Sequence, residues 1–307
     1  MTIARPLDVL TVGGAAMDLI MTVPELPGHD EKVLGELVGW QPGGPATNFG
    51  CAASRLGLNI AALALIGDDE NGRRITADLE AHNIDTTYLQ VKPGQASLFT
   101  VILIDPTGEK VIVVVPTIEE IYPLDVAEKA LSQTKFLYMM PKPEPQFLAL
   151  ARLAHQQGAE VMIDIEPTIC ADRDHLKRIL AETDIASFNR FGFTAAAGVQ
   201  PSIEAARDLL QFGPHTIMVT QGSAGSLAVT KDEAVEQPGS VVEVVDTTGA
   251  GDTFHAAYVT ALLQGDSLTE RLRFANATAA LSVTAMGPRG WLPTHSEVRN
   301  FIQQSSI

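Results

Sequence analysis

The sequence predicts an α/β fold in which helices cover a mostly parallel sheet. Two observations support this prediction: short apolar runs recur along the chain, and helix-like segments separate several of them. The apolar runs, each of strand length, are 9–12, 60–66, 136–140, 160–165, 185–188, 216–220 and 241–245. The clearest helix-like segments are 144–157 and 203–212.

The same alternation predicts where a ligand would bind. In open α/β sheets, ligands lie beyond the carboxyl ends of the strands. Gly13 and Gly14 follow the first run, Asn189 follows the fifth, and a glycine turn at Gly249 follows the last. We therefore expect these three places to meet at one edge of the sheet.

One stretch interrupts the alternation. Two strand-like runs within 98–115 flank Asp105-Pro106-Thr107-Gly108-Glu109-Lys110, which has the composition of a hairpin turn. Together with an excursion over 19–40, this hairpin would form a small separate sheet, although the residues alone fit an ordinary edge hairpin equally well. Because neither an internal repeat nor a low-complexity linker divides the sequence, we expect residues 1–307 to form a single domain.

The composition narrows the possible partners. Hydrophobic residues make up 46% of the chain, enough for a large core. The chain has 21 Lys and Arg against 37 Asp and Glu, a formal net charge of −16. This charge disfavours nucleic acid or an anionic membrane as a partner. Any phosphorylated ligand would need a local positive site made of backbone amides and a bound cation.

The cysteines and the N-terminal residues also exclude some classes. Cys51 and Cys170 are the only two cysteines and form no C-x-x-C pair, which argues against a zinc site or a disulfide framework. The first residues lead directly into an apolar strand without a long apolar signal region, and no window is apolar enough to span a bilayer. These observations predict a cytoplasmic protein.

The most informative segment is Asp246-Thr247-Thr248-Gly249-Ala250-Gly251-Asp252-Thr253-Phe254. It follows the apolar run 241–245 and opens a helix, because Phe254, Tyr258 and Leu262 recur at helical spacing. Glycines let the backbone approach an anion closely, and the helix dipole adds about half a positive charge there. The segment therefore predicts a phosphate site.

Asp252 adds chemistry to that site. A carboxylate inside an anion site would repel phosphate unless it had a separate task. The obvious task is to accept the proton of an attacking hydroxyl group, which is the arrangement of a kinase. The alternative is that the glycines only form a turn and Asp252 only caps the helix, and a short glycine motif does not exclude this.

Two segments resemble one known family. The 246–254 segment resembles the C-terminal signature of the PfkB/ribokinase family of carbohydrate and nucleoside kinases. Residues 43–48, Gly-Gly-Pro-Ala-Thr-Asn, with the helix-like 49–57 that follows, resemble its N-terminal signature. This resemblance implies a ribokinase-like three-layer α/β/α domain, with a small β-sheet lid formed by segments near 19–40 and 96–117. In this family the lid often forms a dimer interface, so we expect a homodimer.

The resemblance also implies roles for individual residues. Gly43, Gly44 and Asn48 would contact sugar hydroxyls together with Asp18. Asp252 would be the base, while the amides of Gly249, Ala250 and Gly251 would form an anion hole. The nucleotide, ATP with Mg²⁺, would be bound by Asn189, Thr220, Gly222, Gly225, Thr248 and Asn276. Asp246 would help to bind a monovalent cation such as K⁺.

Three departures from the family pattern bear on the substrate. Ala16 replaces the Asn of the Asn-x-Asp pattern that ribokinases carry at Asp18, and Pro45 replaces a Lys. Gly192 replaces the Glu of the Asn-x-x-Glu motif that begins at Asn189, so Asp164 or Glu166 would have to compensate. These changes favour the ketohexokinase and sulfofructose kinase side of the family over ribokinase itself. Lys32, in the lid segment, is a candidate to meet an anionic substituent of a sugar.

We therefore expect an ATP-dependent kinase that phosphorylates a hydroxyl group of a sugar or sugar derivative, with a ketose as one candidate. One alternative is a nucleoside kinase, for which the lid should be more apolar. Another is a sugar-binding regulatory protein that has lost catalysis. The intact turn from Gly249 to Asp252 argues against that second alternative, whereas the missing Glu at Gly192 favours it.

Overall fold

The computed structural model describes residues 6–107 and 109–304. The strands in this part of the chain are β1 (Leu7–Val12), β2 (Ala16–Thr22), β3 (Glu36–Gly43), β4 (Ile60–Leu63), β5 (Leu65–Gly67), β6 (Gln90–Lys92), β7 (Phe99–Ile104), β8 (Lys110–Val115), β9 (Thr134–Met139), β10 (Glu160–Ile165), β11 (Ile185–Asn189), β12 (Thr216–Thr220), β13 (Ser226–Thr230) and β14 (Ala234–Gln237). The helices are α1 (Pro45–Arg55), α2 (Glu70–Ala81), α3 (Leu124–Leu131), α4 (Glu144–Gln156), α5 (Arg173–Leu180), α6 (Arg190–Ala197), α7 (Ile203–Leu210), α8 (Ala250–Leu263), α9 (Leu268–Ser282) and α10 (His295–Gln304).

Eight strands form the main sheet, in the order β14-β13-β12-β11-β10-β9-β1-β4. The six strands from β12 to β4 run parallel, whereas β13 and β14 pair antiparallel at one edge. This confirms the predicted mostly parallel sheet. The parallel strands end at one edge, which is the edge that the sequence predicts for a ligand.

Helices pack on both faces of this sheet. Side chains alternate along each strand, so Leu10 and Val12 enter one buried apolar cluster while Val9 enters the other. Val161 and Met162 divide in the same way on β10. Two cores, one on each face, are what three layers require, and the predicted α/β/α arrangement is therefore confirmed.

The small sheet also matches the prediction. Its strand order is β3-β2-β7-β8, with antiparallel pairs at β2/β3 and β7/β8 and a parallel pair at β2/β7. The excursion over 19–40 and the hairpin over 98–115 therefore pair with each other, and we call this sheet the lid. The hairpin turn contains Gly108, which lies outside the described residues, as do 1–5 and 305–307.

Two predicted strands need correction. The run 60–66 divides at Ala64, because β5 leaves the main sheet to pair with β6. The run 241–245 is wrong as a strand: none of the described residues pairs with it as a strand, and Val241 is 98% exposed. Hydrogen bonds from the amides of Val245 and Asp246 to the carbonyl of Val283 hold the segment outside the sheet.

Two further expectations concern cysteines and membranes. Cys51 and Cys170 are both free and buried. Within the described ranges, the search for a helix of sufficient length and apolarity to cross a bilayer finds none.

Candidate active site

The turn before α8 places backbone amides at the sheet edge. Gly249 adopts a left-handed conformation, with φ of 76°, immediately before the helix. A Cβ there would lie 2.8 to 2.9 Å from Pro288, so only glycine fits. A Cβ on Gly251 would instead meet nothing within 4 Å. The Ala250 amide donates to the carbonyl of Thr247 at 3.3 Å, which leaves Gly251 as the better placed anion donor.

Asp252 lies in the first turn of α8. Asn48 Nδ2 donates a hydrogen bond to its carboxylate at 3.0 Å. Burial raises the pKa of Asp252 to about 7, although the Asn48 hydrogen bond and the Arg289 charge lower it, and Glu166 raises it. This carboxylate can therefore accept a proton near neutral pH.

Buried groups hold α8 against the sheet beneath Asp252. His255 bonds Tyr138 Oη at 3.1 Å and Ser187 Oγ at 2.7 Å. Burial lowers the pKa of His255 to about 3, so the ring is neutral. His255, which directly follows the signature, is therefore a core residue, and its hydrogen bonds help to set the position of the helix that carries Asp252.

The predicted sugar-binding residues are brought together. Asp18 Oδ1 accepts a hydrogen bond from Thr100 Oγ1 at 2.6 Å, and a Cβ on Gly43 would collide with the Asp18 carboxylate. Gly44 has φ of 105° and accepts the backbone N–H of Asn48 at 2.8 Å. The Arg289 charge acts on both Asp18 and Asp252, and Asn48 bonds Asp252, so these predicted residues lie in one part of the molecule.

Burial also raises the pKa of Asp18, while the Thr100 hydrogen bond and the Arg289 charge lower it. Lys32 lies apart from these contacts, exposed in the loop between β2 and β3. Its predicted role therefore stays a prediction. Ala16 is 2% exposed and offers no polar atom in place of the missing Asn.

Several residues of the site were not predicted. The side chain of Arg289, 9% exposed, donates to Asn48 Oδ1 at 3.0 Å and pairs with Asp78. Glu120 lies near Gly14, and burial raises its pKa while the Lys142 charge lowers it. Arg289 lies outside both signatures, and no sequence pattern marked it as part of the site.

Two carboxylates lie near Asp252 at the end of β10. Burial and, to a smaller extent, the charges of Asp252 and Glu166 raise the pKa of Asp164 to about 8. Lys142 Nζ donates to Glu166 Oε2 at 2.7 Å. A Cβ on Gly192 would lie 2.6 Å from the carbonyl oxygen of Ile165, so the family's Glu would not fit here without a backbone shift.

An adjoining cleft of about 490 Å³ contains most of the predicted nucleotide residues. Its walls include Thr220, Gly222, Gly225, Asn276, Val241, Val242, Val244, Ala250 and Gly251. The segment 241–245, which forms no strand, therefore supplies apolar side chains to the wall of this cleft. The volume lies in the range of small-molecule sites, and the cleft ends at the turn that carries Asp252.

The remaining predicted residues have defined partners. Asn276 Nδ2 donates to the carbonyl of Gln237 at 3.0 Å, which ties α9 to the end of β14. Asn189 Oδ1 accepts the N–H of Gly192 and caps α6. Asp246 Oδ1 accepts from Thr248 N and Oγ1, and its Oδ2 accepts from Gly287 N. Burial raises the pKa of Asp246, but these hydrogen bonds together lower it by more, so the pKa lies below its usual value.

Comparison with known proteins agrees with this geometry. The profile of the pfkB family carbohydrate kinases matches residues 7–295. A ribokinase from Bacillus subtilis is 30% identical over 301 residues, 96% of this chain and 99% of the relative. An ATP-dependent ribose-1-phosphate kinase from Halopiger xanaduensis is 26% identical over 297 residues, 96% and 98% of the two chains.

A solved structure shows the same fold. Arabidopsis thaliana ribokinase, determined with ribose and ATP, matches with a TM-score of 0.85 at 25% identity, over 98% of this chain and 99% of that one. The predicted ribokinase-like fold is thereby confirmed.

These relatives do not support the expected proximity to the ketohexokinase and sulfofructose kinase side, because they act on ribose or its phosphate by name. They do support a kinase that phosphorylates a sugar. With the profile matching almost the whole chain and both signatures meeting at one site, the chain belongs to the pfkB family of carbohydrate kinases.

Proposed function

We propose that this enzyme transfers the γ-phosphoryl group of ATP to a hydroxyl group of a monosaccharide, with Asp252 as the general base. The observation that carries the proposal is the location of Asp252. Its carboxylate accepts a hydrogen bond from Asn48, a predicted sugar-binding residue, and the preceding residue, Gly251, lines the cleft. A sugar hydroxyl from one side and a phosphate from the other would meet beside it.

The proposed reaction is a nucleophilic displacement at the γ-phosphorus. The sugar oxygen attacks the γ-phosphorus as its proton passes to the Asp252 carboxylate, and the bond to the β,γ-bridging oxygen breaks to release ADP. The Gly251 amide and the dipole of the 14-residue helix α8 stabilise the charge on the transferred group. A base with a pKa of about 7 suits this transfer near neutral pH.

The nucleotide would occupy the 490 Å³ cleft. The adenosine half would lie against the apolar wall near Val242, with Asn276 holding that wall in place through Gln237. Thr220, Gly222 and Gly225 would follow the phosphates, together with Asn189 and Thr248.

The donor set near Asp252 suits Mg²⁺. Asp164 and Glu166 supply hard oxygen ligands, and the raised pKa of Asp164 reflects burial and two neighbouring negative charges. A divalent cation would relieve that repulsion. Asp164 and Glu166 would hold the ion through its water shell and so replace the family Glu that is missing at Gly192. The ion would neutralise charge on the phosphates.

A monovalent cation beside the turn is a further part of the proposal. Both carboxylate oxygens of Asp246 already accept hydrogen bonds from the protein, so backbone carbonyls would supply most of the coordination. Turnover measured in K⁺ and in Na⁺ at equal ionic strength tests the site. Equal rates in both salts would remove K⁺ from the proposal.

The lid supports a homodimer. Its strands expose apolar side chains that a monomer would leave in water; on β3 and β8 these are Leu37, Val38, Val111, Ile112, Val113 and Val114. A contiguous exposed apolar surface on an edge strand favours association. We propose that the lid of a second copy covers this surface.

The test of the function is a substrate panel. Purified enzyme, ATP and Mg²⁺ are incubated with ribose, deoxyribose, ribose 1-phosphate, fructose, other ketoses and adenosine, and ADP release is followed. We expect turnover with a monosaccharide or its phosphate, while turnover with adenosine alone would indicate the nucleoside kinase.

The base is tested with the substrate that this panel identifies. Asp252→Asn should lower kcat by at least about 10²-fold while ATP still binds. Asp125→Asn, on the exposed first turn of α3, is the matched control. Near-normal turnover of Asp252→Asn would remove Asp252 from the mechanism.

A further inference from the structure

Arg289 makes three side-chain contacts near the base. Its Nε donates to Asn48 Oδ1 at 3.0 Å, its Nη2 donates to Thr47 Oγ1 at 2.8 Å, and its Nη1 pairs with Asp78. The side chain is 9% exposed, so water cannot easily replace these partners. The loop after α9 is thereby tied to α1 and α2 through one guanidinium group.

This contact determines which way the Asn48 amide points. A guanidinium group carries only donors, so the Asn48 atom that faces Arg289 must be the acceptor Oδ1. The donor Nδ2 is then the atom that faces Asp252, at 3.0 Å. In the opposite orientation Oδ1 would face the carboxylate and repel it, and the amide torsion by itself has two comparable states.

We propose that Arg289 is a positioning residue for the base: it fixes the Asn48 amide so that Nδ2 donates to the ionised Asp252 carboxylate. The inference rests on the proposed role of Asp252. Neither signature contains Arg289, and the sugar and the nucleotide need not touch it. Its positive charge supplements the hydrogen bond, since both favour the charged form of the carboxylate.

Other charged groups around Asp252 act in the opposite direction. Glu166 follows β10, Asp164 lies on β10, and Tyr138 lies on β9; each interacts with Asp252 or with its acidic neighbours. Among the described residues, Arg289 supplies the positive charge that lowers the pKa of Asp252. Because the Asp164 carboxylate also lies close to Asp252, the test compares variants with one another rather than interpreting one curve.

The experiment is the pH dependence of kcat with the sugar identified by the panel. Asp252 must be ionised to accept a proton, so kcat falls as the pH decreases through its pKa. Arg289→Met removes the donors and the charge, and the acidic limb should move to higher pH by about one unit. At pH 6, kcat should then be about tenfold lower than in the unmodified enzyme, with much less change at pH 9.

Two further variants separate positioning from simple packing. Asn48→Ala should move the acidic limb in the same direction, and Asn48→Ala/Arg289→Met should move it little further, because both act through one hydrogen bond. Arg289→Lys keeps the positive charge but cannot make all three contacts of the guanidinium group. The acidic limb of its kcat profile should therefore lie between those of the parent and of Arg289→Met.

The matched control is Arg55→Met. Arg55 is exposed at the end of α1 and donates to the carbonyl of Leu292, so its loss should leave the acidic limb unmoved. If Arg289→Met keeps the parental limb while Asn48→Ala moves it, the inference is overturned. Fully additive displacements in the double variant would also overturn it.

Folding must be checked because Arg289→Met leaves Asp78 without its cation. Arg289→Met/Asp78→Asn removes that charge as well and serves as the second variant, with thermal unfolding measured before kinetics. The outcomes also separate the two proposals. An active Asp252→Asn enzyme would refute the proposed function, whereas an inactive Asp252→Asn beside a parental Arg289→Met profile would refute only the role of Arg289.

Discussion

Lys110 on the lid strand β8 donates a hydrogen bond to Oγ1 of Thr248, on the turn before α8, at 3.0 Å. The lid therefore contacts the proposed phosphate site directly. In a chain with a net charge of −16, this contact brings an exposed cation beside the place proposed for a triphosphate.

Lys110→Met should weaken nucleotide binding. An exposed ion pair contributes about 0.2 to 1 kcal/mol, so the KM for ATP should rise by about 1.5- to 5-fold and the difference should shrink in high salt. Lys231→Met, on the turn between β13 and β14, is the control. An unchanged KM for ATP in low salt would show that the Lys110 contact does not serve nucleotide binding.

The two glycines of the turn should respond differently to alanine. Gly251→Ala meets no protein atom and suits a helix, so the protein should keep its melting temperature while kcat falls sharply, because the methyl group occupies the space that a phosphate needs. Gly249→Ala should lower the melting temperature, since its φ is positive and Pro288 is too close. A fully active Gly251→Ala enzyme would mean that the anion does not approach this amide.

Asp18→Ala tests sugar recognition. Losing a hydrogen bond to a charged group costs about 1.5 to 3 kcal/mol, so the KM for the sugar should rise by about ten- to over a hundredfold while the KM for ATP changes little. Thr22→Ala, at the exposed end of the same strand, is the control. Weakened ATP binding with an unchanged sugar KM would reverse the assignment of the two halves of the site.

The raised pKa of Asp252 has a consequence for stability. Its pKa is about 7 in the folded protein and 3.8 as a free group, so between these values the folded state holds a proton that the unfolded state has lost. Stability therefore falls as the pH rises through this window. Asp252→Asn removes the effect, and its melting temperature should exceed that of the parent at pH 8.

The same comparison at pH 4 should show a much smaller gain, because Asp252 is then protonated in the folded protein. Asp125→Asn should change neither value. Equal melting temperatures of the parent and Asp252→Asn at pH 8 would show that Asp252 carries no buried charge.

The proposed dimer predicts a mass change. Val113→Lys/Ile112→Lys places one charge on each face of β8, both of which are exposed, so a dimer formed through the lid should dissociate to a monomer in sedimentation velocity. Lys129→Glu on α3, away from the lid, should leave the assembly intact. A parent chain that sediments as a monomer at all concentrations would exclude the dimer.

Much of this architecture could be predicted from local patterns. Apolar runs such as 160–165 and the helix-like segment 144–157 match β10 and α4 almost residue for residue. The sequence also predicts where α8 begins, because the conformation of Gly249 and the helical spacing of Phe254 and Tyr258 depend only on residues a few positions away. The two signatures together predicted the family and the candidate base.

Other features required the tertiary structure. The run 241–245 is as apolar as a strand, yet no strand of the sheet lies beside it to supply hydrogen bonds. Arg289 reaches Asn48 across 241 positions, and no local pattern marks such a pair. The sequence already pointed to Asp164 or Glu166 as a replacement for the Glu missing at Gly192, but only packing reveals the Ile165 carbonyl that would collide with a side chain there.

Some of these features could be predicted and others could not because the interactions that determine them differ in range along the chain. Periodicity, turns and helix starts arise from backbone geometry over a few residues, so the sequence by itself determined the order of strands and helices, the phosphate turn and the family. The pKa of Asp252, the orientation of Asn48 and the contact of Lys110 with Thr248 depend on burial and on charges from distant segments. Those properties exist only after the sheet has brought the segments together, and only the tertiary structure decided them.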